Sequence, residues 1–139
     1  MNNNLILWPV IVQIALTFWV FILLGIRKTK AMKAGGVDTQ QTALNNTAWP
    51  EDVVKVSNNI ANQFQTPVLF YALCLAFMSI NGVTQFVLGL ASLYALSRLI
   101  HAYVHVGSNY VPMRLRAFII GILILMAMTI TLAVQLAGS

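Results

Sequence analysis

The sequence predicts an all-α membrane protein: one domain over residues 1–139, built as a bundle of four transmembrane helices. Apolar types make up 59% of the chain and charged types 8%. Ordinary soluble domains hold roughly 45–50% and about 25%, so this chain cannot cover a water-facing surface. Its eight basic and three acidic residues avoid 1–26, 56–97 and 117–139 altogether, leaving long uncharged stretches suited to hydrocarbon. These runs are continuous rather than alternating, which excludes a β-barrel. The net charge of +5 therefore belongs to the ends of membrane spans and is not a nucleic-acid patch. One cysteine, Cys74, forms no internal disulfide.

The first span is read as about 5–26. Leu5 to Ile26 carries no charge and reaches about 33 Å at ~1.5 Å per residue, enough for a core of ~30 Å. Met1 to Asn4 precede it without positive charge, while Arg27, Lys28 and Lys30 follow. That order reads as a retained anchor rather than a cleaved signal. Residues 34–50, with Gly35, Gly36 and several Thr, Asn and Gln, read as a polar loop. Asn45-Asn46-Thr47 fits a glycosylation sequon but falls on the cytoplasmic side, where it has no use.

The second helix is read as about 51–80, opened by Glu51 and Asp52 at the positive end of its dipole. Its interior Pro67 removes one N–H and frees the carbonyl of Gln63, which predicts a kink. Asn81-Gly82 marks a tight turn, and the third helix follows over about 83–106. Gly107-Ser108-Asn109 breaks it, and Pro112 opens the fourth, about 112–137. Lys and Arg lie in connections one and three and not at 81–82 or at either terminus. The positive-inside rule then puts both termini outside.

Polar residues within the spans carry the functional reading. Lys55, Asn58, Asn62 and Gln65 follow at spacings of 3, 4 and 3, so they share one helix face. Arg98, His101 and His105 do the same at the end of the third helix. Arg114 and Arg116 stand in the first turn of the fourth, where a helix dipole disfavours cations unless an anion sits nearby. Each residue has an ordinary role open to it: interhelical hydrogen bonding for the amides, snorkelling for the arginines, a satisfied interface for the imidazoles. Together they predict a pocket at the cytoplasmic boundary that combines Asn62, Gln65, Arg98, His101, His105 and Arg114. Cations outnumber acids there, so a small anionic, amide-rich ligand suits it, and a lipophilic second ligand can arrive from the bilayer. A metal site is not expected: His101 and His105 have no further ligand at hand.

The segments Asn62-Gln63-Phe64-Gln65-Thr66-Pro67-Val68-Leu69-Phe70-Tyr71 and Arg98-Leu99-Ile100-His101-Ala102-Tyr103-Val104-His105-Val106-Gly107 resemble the MAPEG family, the membrane-associated proteins of eicosanoid and glutathione metabolism. The second-helix motif looks most like bacterial members, which implies the inner cell membrane. The resemblance implies a homotrimer in the bilayer, with glutathione as co-substrate bound between neighbouring subunits. It also implies an arginine that stabilises the thiolate for attack on a lipophilic substrate. Arg98, His101, Gly107, Pro112 and Arg114 fall at the spacings of the prostaglandin synthase branch, so Arg114 takes the place of the thiolate-stabilising arginine. Asn62 and Gln65 match the family's Asn-x-x-Glu, with the charge lost at Gln65. Asn58 and Ile60 stand where an Arg and a His are common, His105 where a Tyr is, and Phe118 replaces a further Tyr. The resemblance implies Arg114 as the catalytic residue and Arg98, His101, His105, Asn62, Gln65 and Asn58 as ligand-binding residues. Two functions remain open: a glutathione- or thiol-dependent transferase or peroxidase-like enzyme, and a non-catalytic lipid- or ligand-binding protein of the same fold.

Overall fold

The computed structural model describes residues 1–138. Among the described residues helix accounts for 85% and no strand occurs, which settles the all-α class. Four segments are long and apolar enough to cross a membrane: Asn3–Ala34, Glu51–Ser79, Gln85–Val106 and Val111–Ala137.

A 3-10 turn, Asn3–Ile6, leads into α1, Leu7–Ala34. This helix continues past Ile26 through Arg27, Lys28, Lys30 and Lys33. Lys and Arg are good helix formers, and cations suit the negative end of the dipole. Gly35 and Gly36, at φ +81° and +79°, stop it. The expected polar loop is partly helical: Asp38 accepts from the backbone N–H groups of Gln40 and Gln41 and so caps a short helix, α2, Thr39–Leu44.

The second span is two helices rather than one kinked helix. Glu51–Gln63 forms α3 and Thr66–Ser79 forms α4. Between them Gln65 leaves helical geometry, at φ −98° and ψ −105°. Pro67 is the cause. Its ring restricts the residue before it and would clash with the carbonyl four residues back, so the chain restarts with Pro67 in the first turn of α4. Asn81, at φ +53°, makes the turn to α5, Gln85–Val106. Asn109, also at φ +53°, precedes α6, Val111–Ala137, with Pro112 in its first turn.

Hydrogen bonds gather the ends of the bundle. Asn3 Nδ2 donates to Asn81 Oδ1 at 2.6 Å and Gln135 Nε2 to the Gly82 carbonyl at 3.1 Å. The start of α1, the 81–82 turn and the end of α6 thus share one end. At the other, Arg27 donates to the carbonyls of Asp52 (2.7 Å) and Val106 (3.0 Å).

Two apolar clusters form the core. One holds Phe70, Cys74, Phe77, Val87, Tyr94 and Met128, with the Phe70 and Tyr94 rings stacked at 4.5 Å. The other holds Leu16, Val20, Val56, Ala102 and Val106. Along α1, the broken span and α5, the buried polar residues Gln13, Gln63 and Arg98 stand between members of the two clusters. Gly121 lets α6 approach α5: a Cβ there would lie 3.3 Å from Ser97 Oγ and 3.5 Å from the Tyr94 ring. Outward faces of α1 and α6 are apolar, with Trp8, Phe18, Ile22, Leu123 and Ile130 exposed, as lipid contact requires.

Candidate functional site

The head of α6 faces the C-terminal part of α5 across a cleft of about 200 Å³ lined by Asn62, His101, Val111, Arg114, Leu115 and Phe118. Arg114 is drawn toward it by its own connection, since Nη1 donates to Asn109 Oδ1 at 2.6 Å. Asn109 can take that position because a left-handed backbone is tolerable for asparagine. Arg116 is exposed, whereas Arg114 is partly buried. Two residues apart on a helix, they point about 200° apart, and only one reaches the cleft.

On α5, Arg98 is 1% exposed and His101 and His105 are buried. Arg98 makes one long contact, Nη2 to the Asn62 carbonyl at 3.5 Å. Among the described residues its Nε and Nη1 have no hydrogen-bond partner, nor does Nδ1 of His101. The acids of the chain are Asp38, Glu51 and Asp52. Glu51 lies 3.2 Å from Lys55, and Asp38 caps α2. A buried guanidinium with unfilled donors is costly. The His101 ring meets His105 edge-on at 5.5 Å and Phe118 at 6.0 Å.

A model of the MAPEG family matches residues 6–134. The chain belongs to the MAPEG family. No curated protein and no solved structure matches it. Membership places this MAPEG chain among the membrane-associated proteins of eicosanoid and glutathione metabolism.

Of the residues singled out in this MAPEG sequence, Asn62, His101 and Arg114 line one cleft, with Arg98 and His105 adjoining it. Gln65 and Asn58 stand apart. Gln65 occupies the helix break and is exposed; Asn58 is exposed and accepts from Asn46 Nδ2 at 3.3 Å. Lys55, on the same predicted stripe, pairs with Glu51. The inward stripe is instead Val53, Val56, Asn59 and Gln63.

Four polar residues were not assigned a role from sequence. Gln13 Nε2 donates to Gln63 Oε1 at 2.7 Å, and Gln63 Nε2 to Asn59 Oδ1 at 2.9 Å. Asn59 Nδ2 lies 3.1 Å from His105 Nδ1, and Thr17 Oγ1 lies 3.3 Å from Gln63 Oε1. The signal was available. Val53 and Val56 lead into Asn59 and Gln63 at helical spacing, and Gln13 interrupts an otherwise apolar run.

Proposed function

We propose that this protein is a thiol-dependent membrane enzyme, with glutathione as co-substrate, acting on lipophilic electrophiles. The observation that carries this reading is the placement of Arg114 beside His101 and Asn62 in a cleft at the head of α6. A thiol seated there meets a fixed cation, and an opposite charge within ~4–6 Å lowers a pKa by about 1–3 units. The thiol proton leaves to water and the thiolate is the competent nucleophile. Its sulfur bonds to the electrophilic carbon of, for example, an aromatic halide, the carbon–halogen bond breaks, and its electron pair leaves with the halide. Arg114 is the catalytic residue. His101, His105, Arg98 and Asn62 bind and orient the thiol's carrier. Gln65 and Asn58 lie outside the cleft of one chain and would take part only where a neighbouring copy brings a ligand to them.

The cleft is smaller than the ~300–1,000 Å³ of typical ligand sites, so one chain supplies part of the site. A homotrimer, in which a neighbouring copy closes it, accounts for the rest. The protein is then a multi-pass resident of a bacterial inner membrane, with both termini outside and Arg27, Lys28, Lys30 and Lys33 in the cytoplasm, as the positive-inside rule requires.

A second reading, a non-catalytic binder of the same fold, draws support from the neutral Gln65. A neutral acceptor forms weaker bonds than a carboxylate, by about half. Calorimetric titration of the detergent-solubilised protein with reduced glutathione separates the two. Binding in the millimolar range or tighter, together with thiol-dependent turnover of an aromatic halide, supports the enzyme. Lack of binding at millimolar thiol favours the binder.

A further inference from the structure

The buried polar chain Gln13–Gln63–Asn59–His105 crosses from α1 through α3 to α5, and thiol chemistry does not by itself require it. Each amide has two ends of opposite character, so the orientation of one fixes the next. Gln63 Oε1 accepts from Gln13 Nε2 at 2.7 Å, while the single Thr17 proton is shared between the Gln13 carbonyl at 3.1 Å and this oxygen at 3.3 Å. Gln63 Nε2 therefore faces Asn59 Oδ1, and Asn59 presents its NH₂ to His105. A ring nitrogen that receives an N–H carries no proton of its own.

We propose that this amide relay holds His105 as a single neutral tautomer, with Nδ1 as acceptor and the ring proton on Nε2, so that His105 serves the neighbouring cleft as a hydrogen-bond donor and not as a base. The reversed chain is the competing arrangement. It would turn the NH₂ of Gln13 to the side where one acceptor, Oε1, is now left over. An unfilled acceptor is the more tolerable of the two. All four residues of the chain are nearly or fully buried, so water does not compete for the bonds that fix its direction.

The tautomer does not depend on the function proposed above; what it does for a ligand rests on that reading. With Nε2 protonated, His105 can donate to a thiolate held by Arg114. It cannot take the thiol's proton at that nitrogen, which agrees with release of that proton to water. Asn59 is a positioning residue, acting through the imidazole.

The test is ¹⁵N magnetic resonance of the full chain with labelled histidine at a pH where the ring is neutral, with His105→Gln assigning the signals by loss. The expected wild-type spectrum shows His105 with a protonated, pyrrole-type Nε2 and an unprotonated, pyridine-type Nδ1. In Asn59→Asp the carboxylate can only accept, and the proton should move to Nδ1. A wild-type ring protonated at Nδ1, or an even mixture of tautomers, overturns the proposal. So does an Asn59→Asp protein that folds and keeps the wild-type tautomer. Should that variant fail to fold, the wild-type spectrum decides alone. Because no thiol is present, failure here is distinct from failure of the calorimetric titration.

Discussion

Arg27 and Val106 lie 79 positions apart, and Arg27 Nη2 donates to the Val106 carbonyl at 3.0 Å while Nη1 holds the Asp52 carbonyl at 2.7 Å. One guanidinium thus joins α1 to the start of α3 and fills a carbonyl at the end of α5 that its own helix leaves open. A lysine offers a point charge and lacks the fork that spans two acceptors. Arg27→Lys should therefore lose about 1 kcal/mol and Arg27→Ala about 2 kcal/mol, at ~1 kcal/mol per hydrogen bond. Thermal unfolding in detergent reads the order; equal stability of wild type and Arg27→Ala would contradict it.

The buried amides should outweigh the exposed ones. Gln63→Leu strips partners from Gln13, Thr17 and Asn59 at once. A single interhelical bond in a membrane averages about 0.6 kcal/mol, so the combined loss should reach about 1–2 kcal/mol. Gln65→Leu, exposed at the break, should stay within about 0.5 kcal/mol. Chemical denaturation of both variants measures the gap.

Gly121→Leu should be destabilising by about 1–3 kcal/mol through overpacking, because the first added carbon already meets Ser97 and Tyr94. Gly89, which a Cβ would leave in open space, is the control, and Gly89→Ala should be neutral or stabilising on helix propensity. Comparison of their melting temperatures tests the α5–α6 approach directly.

A reporter that functions only in the cytoplasm, fused to the C-terminus, should be silent, and one that functions only outside should be active. The ground is the gathering of the start of α1, the 81–82 turn and the end of α6 at the end opposite Arg27, combined with the positive-inside rule. Cytoplasmic activity would invert the orientation and move the cleft to the other face.

Arg114→Leu should reduce thiol-dependent turnover by about 10²-fold, the usual cost of removing one group that stabilises developing charge. Its activity profile should shift to higher pH. The bound thiol would lose the cation that lowers its pKa, so the thiolate would form only as pH rises toward the ordinary thiol range near 8.5. Arg116→Leu, which removes an exposed side chain, should leave the pH profile unchanged. Equal effects from the two variants would remove the enzymatic reading.

Fold class and span number were legible because hydrocarbon admits few backbone arrangements: uncharged runs long enough to cross it become helices. The break at Gln65 was half legible. Pro67 announced a disturbance, but whether a helix bends or restarts depends on the neighbours that fill the freed carbonyls. In the site, the angular offset says that Arg114 and Arg116 cannot both face inward, and the motif spacing, not the offset, picks Arg114. The amides of α3 could not be sorted by spacing between polar residues, because Asn58, Asn59, Asn62 and Gln63 give two overlapping stripes. What separates them is the company they keep: Asn59 and Gln63 continue the line of Val53 and Val56, which are fully buried.

Cys74, the chain's one cysteine, is 0% exposed within the cluster of Phe70, Phe77 and Tyr94. A protein proposed to handle a reactive thiol thus keeps its own sulfur away from it. Disulfide exchange needs the two sulfurs to meet, and here they cannot while the bundle is folded. A thiol co-substrate of the proposed kind would find no accessible partner on the folded chain with which to form a mixed disulfide. The same seclusion makes the native chain a blank background for cysteine labelling: a thiol introduced at the cleft rim would be the only one to react, and a signal from the unaltered protein would report unfolding.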